Sequence, residues 1–161
     1  MAKKQAVEKT NAMRKLDAMK IPFQEYTYEG DGTLTGVDVA AMLGQNADQV
    51  FKTLVTIGAS KHNYVFVVPV WAELNLKKAA KAVGEKNIEM IKSKELLPLT
   101  GYIHGGCSPI GMKKFFTTTI HETAKEWDTI IFSGGKIGCQ VEVSLADLAK
   151  VISFQLEDIC I

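Results

Sequence analysis

Two β-prone runs joined by a short connection restrict the folds open to this chain most strongly. Phe51–Ile57 and Tyr64–Val70 are rich in β-branched and aromatic residues, and only Gly58–Asn63 lies between them. Residues of this kind favour strands, and the short connection predicts that the two strands form a hairpin-like pair. The rest of the chain then has to pack around a sheet that contains this pair.

Helical and extended segments alternate along the remaining sequence. Apolar spacing and capping residues predict a helical turn over Ser93–Leu97 and helices over Ala6–Lys20, Gly36–Leu43, Leu76–Val83 and Leu145–Lys150. Further strands are predicted over Phe23–Tyr28, Asn87–Ile91, Phe115–Ile120, Thr129–Ser133, Cys139–Val143 and Val151–Phe154. This order predicts an α+β, or mixed α/β, fold. We expect one domain over residues 1–161, with a largely antiparallel or mixed sheet flanked by helices.

The composition is typical of a globular domain and excludes several classes of protein. No run of 18 apolar residues occurs, and no apolar segment follows the basic N-terminus, so we expect neither membrane insertion nor secretion. The three cysteines lie far apart, which fits a reducing cytoplasm, and with the three histidines they show no metal-ligand spacing. A net charge of +1 argues against binding of DNA or long RNA by this chain alone. It allows one nucleotide or the tip of an RNA held by a partner.

The loop Gly101–Gly111 concentrates residues that free the backbone, with four glycines in the sequence GYIHGGCSPIG. Such a loop can present main-chain N–H groups to a carbonyl oxyanion or a phosphate, and a long turn between strands has the same composition. The loop matches neither GxxxxGK[ST] nor GxGxxG, so a nucleotide-phosphate loop of known type is not predicted. A second glycine-rich turn, Ser133–Gly138, suits a ligand-facing corner and a plain hairpin equally well.

Lys52 is a lone cation among hydrophobic residues, early in the strand predicted over Phe51–Ile57. Strand alternation places Lys52 and Leu54 on one face and Thr53 on the other. A lysine in this position either holds an anion or a carbonyl beside the core, or extends its charge to water at a strand edge.

Cys107 lies in the glycine loop three residues after His104, which raises the alternative of a thiol-dependent hydrolase. No second signature of a cysteine hydrolase is visible, so a small buried thiol is the favoured interpretation. His104 and His121 are interpreted as polar strand residues rather than general bases.

The order and spacing of several short motifs resemble the YbaK/EbsC family of aminoacyl-tRNA deacylases, which are related to the editing domain inserted in bacterial prolyl-tRNA synthetases. The resemblance covers nearly the whole chain, and its specificity lies in the order of the motifs rather than in any one of them. The matching segments are Thr27–Glu29, Val50–Leu54, Leu76–Lys81, Val83–Gly84, Glu89–Met90, Thr100–Tyr102, Gly105–Gly111, Lys113–Lys114, Ser133–Lys136 and Gly138.

The resemblance implies hydrolysis of Cys-tRNA(Pro), which forms when prolyl-tRNA synthetase mistakes cysteine for proline, on a twisted and partly barrel-like sheet. It implies catalytic roles for Lys52 and Gly105, and substrate contacts from Tyr28, Thr53, Gly106, Ser108, Ser133 and Gly134. It implies no metal, no cofactor and no covalent enzyme nucleophile. The expected attacking group is the thiol of the substrate, with water as the alternative. The implied partners are the acceptor end of tRNA(Pro) and, in a transient complex, prolyl-tRNA synthetase; the implied location is the cytoplasm.

Three positions depart from the family pattern as it bears on the site. Gln140 stands where a polar or acidic residue, commonly aspartate, is usual; Thr117–Thr118 replaces Pro-Thr, and His121 replaces an aspartate. The alternatives therefore include a deacylase specific for Ala-tRNA(Pro). A non-catalytic module that binds a nucleotide or an acceptor end is another, and a hydrolase using Cys107 and His104 is a third.

Overall fold

The structure is a computed structural model that describes residues 9–161, and the strands of this part form two sheets. The larger sheet is built on β2 (Phe51–Gly58) and β3 (Asn63–Pro69), which pair antiparallel along their whole length. Beyond β2, β4 (Ile88–Met90) pairs antiparallel; beyond β3, β5 (Thr117–His121) and then β8 (Gln155–Glu157) pair in parallel. The hairpin-like pair is confirmed, and it forms the middle of a mixed sheet.

The smaller sheet has three antiparallel strands, with β7 (Cys139–Ser144) between β1 (Gln24–Thr27) and β6 (Thr129–Ser133). A parallel bridge between Val50 and Ile131 joins the two sheets. The predicted α+β fold with mixed strand pairing is confirmed. The strands of residues 9–161 do not close into a barrel.

The described part of the chain also contains a 3₁₀ turn at Glu122–Glu126 and five α-helices: α1 (Asn11–Ala18), α2 (Gly36–Met42), α3 (Leu76–Val83), α4 (Ser93–Thr100) and α5 (Leu145–Val151). α2 begins at a capping box in which Thr35 and Asp38 each accept the other's main-chain N–H at 3.1 Å. α3 begins at Asn75, whose side chain accepts two N–H groups of the first turn, and ends at Gly84 in the left-handed conformation. The predicted bounds of α3 are therefore confirmed.

Most predicted segments agree with the structure to within two residues at each end, and three differ by more. Val151–Phe154 is not a strand, because α5 continues to Val151 and β8 starts only at Gln155. The helical turn predicted to end at Leu97 continues through Pro98 to Thr100, and Gly101 ends it in the left-handed conformation, with its N–H donating to the Leu97 carbonyl. Of the helix predicted over Ala6–Lys20, α1 is the described part, and Ala6–Glu8 lie outside the described residues.

The main hydrophobic core fills the space between the two sheets and is closed by α1 and α5. A second cluster packs the other face of β3 against α3. Because β3 is buried on both faces, its packing fixes the position of the sheet. Each fully buried aliphatic side chain contributes roughly 1.5–3 kcal/mol to stability. Within residues 9–161, no helix is long and apolar enough to cross a membrane.

Candidate active site

A solvent-open cavity of about 740 Å³ lies beside the first half of β2. Its walls come from the start of α2, the turn after β3, the segment leading into α4, the glycine loop and the facing ends of β6 and β7. The cavity lies here because β4 pairs only with Thr56–Gly58 of β2. Among the described strands, none continues along that edge beside residues 52–54.

The cavity brings together residues that are far apart in the sequence. The predicted site residues in its lining are Tyr28, Lys52, Thr53, Gly105 and Ser133. Their side chains or main-chain groups therefore reach one common volume, which neither the strand pattern nor the glycine content requires.

Three further predicted site residues do not line the cavity: Gly106, Ser108 and Gly134. The Gly106 N–H donates to the Ile103 carbonyl at 2.9 Å, and the buried Ser108 hydroxyl accepts the Ile110 N–H at 3.2 Å. The Gly134 N–H donates to the Cys139 carbonyl at 2.9 Å. All three residues hold turns of the protein, and their contact with a substrate stays a prediction.

Lys52 lies on β2 and lines the cavity, and the lining formed by residues 9–161 contains lysines but no carboxylates. Its side chain is half-buried and makes no ion pair or hydrogen bond with residues 9–161. Lys92 is the other lysine of the lining, and no aspartate or glutamate lines the cavity. Two ammonium groups without a carboxylate make the cavity suited to an anionic or carbonyl-bearing ligand.

Thr53 has three hydrogen-bonding groups with no partner among residues 9–161. Its Oγ1 is buried and makes no hydrogen bond in the described structure. The Val50 carbonyl accepts the Val70 N–H on the β3 side, whereas the Val55 carbonyl accepts the Ile91 N–H on the β4 side. Main-chain groups of successive residues alternate in direction along a strand, so the odd-numbered residues of β2 direct theirs away from β3. The N–H and C=O of Thr53 therefore point to the unpaired edge. Unsatisfied buried groups cost about 1–3 kcal/mol each, a cost that a hydrogen-bonding ligand offsets.

Gly105 lines the cavity from the glycine loop and carries an unused main-chain donor. Its φ of +87° is in the left-handed region that favours glycine, and its N–H has no partner among residues 9–161. The loop around it is fixed, since the Tyr102 hydroxyl donates to the Ile110 carbonyl at 2.6 Å. A fixed, unpaired N–H beside a cavity is the kind of donor that stabilises an oxyanion.

Tyr28 and Ser133 both line the cavity, Tyr28 directly after β1 and Ser133 as the last residue of β6. The Tyr28 N–H donates to the Gly138 carbonyl at 3.0 Å, which fixes its backbone, and its phenol has no partner among the described residues. The Ser133 hydroxyl accepts the Gly135 N–H at 3.1 Å and keeps its own proton for a ligand.

The comparisons with known proteins agree on one family. The family model of the aminoacyl-tRNA editing domain matches residues 31–151. EbsC of Enterococcus faecalis, whose name proposes a Cys-tRNA(Pro)/Cys-tRNA(Cys) deacylase, is 44% identical over 99% of this chain and 98% of its own. This chain belongs to the aminoacyl-tRNA editing domain family.

Solved structures share the fold of this editing domain at low sequence identity. One, described as a proposed trans-editing enzyme for prolyl-tRNA synthetase, has a TM-score of 0.79 at 22% identity and covers 96% of this chain and 99% of its own. Another, the hypothetical protein APE2540, has a TM-score of 0.84 at 19% identity, with 94% of this chain and 99% of its own covered. The match of the family model includes Lys52, Thr53, Gly105 and Ser133, whereas Tyr28 precedes it.

The thiols of this editing domain are buried and protonated. Burial raises the pKa of the Cys107 thiol to about 12, and burial, followed by the nearby Glu25 carboxylate, raises the pKa of Cys139 to about 11. Both thiols line the cavity, as does the exposed His104, but no hydrogen bond joins His104 to Cys107. A nucleophilic cysteine needs a thiolate and a base that holds it, so this geometry favours Cys107 as pocket lining.

Sequence reasoning missed many residues of the lining, among them Trp71 and Lys92, and treated Gln140 only as a departure from the family pattern. Gln140 is buried, and its side-chain carbonyl oxygen accepts the side-chain N–H of Gln45 at 2.7 Å, so a hydrogen-bonded amide stands where the family commonly has aspartate. A tryptophan directly after the predicted strand Tyr64–Val70 was the sequence signal that could have pointed to Trp71. No sequence signal marks Lys92. Residues 9–161 contain no cluster of three histidine, cysteine, aspartate or glutamate side chains suited to a metal.

Proposed function

We propose that this editing domain is a trans-editing deacylase that hydrolyses the ester of mischarged Cys-tRNA(Pro), with residues 1–161 acting as one domain. The observation that carries the proposal is a set of polar groups at one cavity that have no partner among the described residues. They are the Lys52 ammonium, the hydroxyl, N–H and C=O of Thr53, and the Gly105 N–H. The family, and the substrate in the name of the 44% identical relative, support the choice of ester.

These groups fit a reaction that needs positioning more than a strong base. An aminoacyl ester is already activated, so its cleavage depends on orientation and on stabilising the oxyanion. In the proposed mechanism, Lys52 holds the phosphate of the terminal adenosine or an oxygen of the substrate. The Gly105 N–H donates to the carbonyl oxygen, and Tyr28 and Ser133 shape the pocket for the amino acid.

The proposed nucleophile is the thiol of the substrate. The thiol gives its proton to water, its sulfur attacks the carbonyl carbon, the bond from that carbon to the ribose oxygen breaks, and the leaving ribose oxygen takes a proton from water. The cyclic thioester of cysteine that forms is then opened by water, which gives free cysteine. No redox partner is needed, and no enzyme side chain becomes acylated, in keeping with the buried and protonated Cys107.

Thiol assistance gives a selectivity that pocket size alone cannot supply. Amino acids that differ by one small group are separated only about 10- to 200-fold by a hydrophobic pocket. An alanyl or prolyl ester lacks the nucleophile and is therefore spared on chemical grounds. The Cys107 and Cys139 thiols line the cavity with modest side chains, which is consistent with a small amino acid.

The proposed partners are the tRNA(Pro) acceptor end and prolyl-tRNA synthetase in a transient complex. A net charge of +1 gives little general affinity for a phosphate backbone, so a synthetase that holds the tRNA body fits the charge of this domain. The cytoplasmic location stays a prediction. Tight binding of free, uncharged tRNA at physiological salt would contradict the need for a partner.

The experiment that tests the function measures release of amino acid from Cys-tRNA(Pro) and Ala-tRNA(Pro) by wild type and Lys52→Ala. Lys125→Ala is the matched control, because Lys125 is exposed and outside the cavity. We expect wild type and Lys125→Ala to release cysteine rapidly and to spare alanine, and Lys52→Ala to lose at least about 10²-fold in kcat/KM, the loss usual for one stabilising donor.

The other outcomes separate the alternatives. Release of alanine rather than cysteine would assign this domain to an alanyl-specific branch with the same fold and site. No release from either substrate would contradict the enzyme and leave a non-catalytic module that binds an acceptor end.

A further inference from the structure

Trp71 is an exposed tryptophan at the mouth of the cavity. Its exposed fraction is 57%, whereas tryptophan in folded proteins is highly buried on average. Two other exposed apolar side chains, Val37 and Met90, line the same cavity. An exposed apolar rim around a cavity of this kind marks a surface that contacts a ligand.

The backbone of Trp71 is held rigidly. It lies in the turn after β3, where the Ala72 N–H donates to the Pro69 carbonyl at 2.9 Å and the Val70 N–H donates to the Val50 carbonyl at 2.8 Å. The start of α2 is pressed against this turn, since a Cβ at Gly36 would lie 2.5 Å from the Val70 side chain. The indole therefore projects from a fixed base, which limits the entropy lost when a ligand packs on it.

The surroundings of Trp71 carry charge suited to a nucleic acid. Lys52 and Lys92 line the same cavity, and no carboxylate does. Proteins bind single-stranded nucleic acid by combining cationic side chains for the phosphates with aromatic rings on which the bases stack. Trp71 supplies the aromatic ring and the two lysines supply the charge.

We propose that the Trp71 indole stacks on a nucleobase of the single-stranded CCA end of the tRNA while the ester lies deeper, beside Gly105. The proposal rests on the function proposed above, because it assigns to that site a contact with the nucleotide part of its substrate. Trp71 is in this view a substrate-binding residue whose contribution is to affinity for the RNA end.

The test uses the fluorescence of Trp71 itself. The chain has two tryptophans, so in a Trp127→Phe background Trp71 is the only reporter. The probes are an uncharged acceptor-stem minihelix that ends in CCA and the same minihelix without the CCA. We expect saturable quenching by the first and none by the second, since only the first offers unstacked bases at the cavity. Absence of saturable quenching, or equal quenching by both minihelices, would overturn the proposal.

A second measurement compares affinities for the CCA minihelix by fluorescence anisotropy of labelled RNA. Trp71→Ala should weaken binding about 5- to 100-fold, the range for one base–aromatic stack, and Trp71→Phe should recover most of the loss. The matched control is Phe115→Ala, an aromatic with an exposed fraction of 60% that lies beside a different cavity. Equal binding by Trp71→Ala and wild type, or an equal loss in Phe115→Ala, would contradict the stacking.

These readouts do not depend on turnover. Quenching at Trp71 in a protein that releases no amino acid would contradict the proposed function and support the stacking. Release of cysteine with a KM unchanged by Trp71→Ala would support the function and overturn the stacking.

Discussion

The two glycine-rich segments lie against each other and use their main-chain donors differently. In the turn Ser133–Gly138, the Gly134 N–H donates to β7 and the Gly135 N–H donates to the serine of the turn. In the loop Gly101–Gly111, the Gly105 N–H has no partner among residues 9–161 and lies at the cavity. The turn uses the Gly134 and Gly135 donors within the protein, whereas the loop leaves the Gly105 donor at the cavity without a partner among the described residues.

The contact between the two segments explains why a glycine stands at position 106. A Cβ at Gly106 would lie 2.9 Å from main-chain atoms of Lys136 and Ile137. This glycine allows two backbones to touch, and Gly105 beside it has ordinary space for a Cβ. Glycine content therefore marks close packing and ligand binding alike, and only the hydrogen-bond partners of the structure distinguish them.

The largest expected effect comes from separating the two segments. Gly106→Ala places a methyl group against backbone that cannot move aside, so we expect a loss of about 3 kcal/mol in the free energy of unfolding. Urea denaturation measures this loss. Gly84→Ala is the control, because its Cβ meets open space and only its positive φ adds strain, about 1 kcal/mol. Equal losses in the two variants would contradict the close contact.

A matched pair of substitutions sharpens the difference between the turn and the loop. Gly135→Ala, with a φ of +108° and a Cβ 2.9 Å from Thr10, should lose about 2 kcal/mol of stability and keep most of its kcat/KM. Gly105→Ala, with a φ of +87° and no contact under 3.5 Å, should lose about 1 kcal/mol of stability.

The expected order of the losses in kcat/KM is the reverse of the order of the stability losses. Gly105→Ala redirects the donor at the cavity, so its kcat/KM for Cys-tRNA(Pro) should fall at least about tenfold. A larger kinetic loss in Gly135→Ala than in Gly105→Ala would contradict the assignment of the open donor.

The smallest expected effect is that of Cys107→Ser. Burial raises the pKa of this thiol to about 12, so it stays protonated from pH 6 to 9 and contributes no inflection to the pH profile of kcat/KM. Wild type and variant should both rise through the ordinary pKa of the substrate cysteine thiol, with values within about threefold. An inflection present in wild type and absent from Cys107→Ser would restore the enzyme thiol as nucleophile.

Local signals explain which parts of the fold could be predicted from the sequence. Asn75 and Gly84 act within one turn of the helix they bound, so the limits of α3 follow from the sequence. Val151–Phe154 misled the strand prediction, because its apolar residues equally suit the last turn of α5 and the chain after it, which pack on the core. Short apolar runs do not distinguish the two states.

Contacts between distant segments explain what the sequence could not show. The presence of Trp71 and Lys92 in the lining of one cavity depends on where β4 stops along β2. The use of the Gly134 donor within the protein depends on the pairing of β6 with β7. Lys52 and Thr53 were predicted from the family resemblance, but the orphaned Thr53 hydroxyl is a property of packing and has no signature in the sequence.

The most direct test of the account compares cysteine release by wild type from Cys-tRNA(Pro) and from the same tRNA carrying S-methylcysteine. The cavity supplies donors and positive charge but no ionised nucleophile, so we expect rapid release of cysteine and near-background release of the methylated amino acid. Equal release from both would show that water or an enzyme group attacks. No release of cysteine at all would contradict the account as a whole.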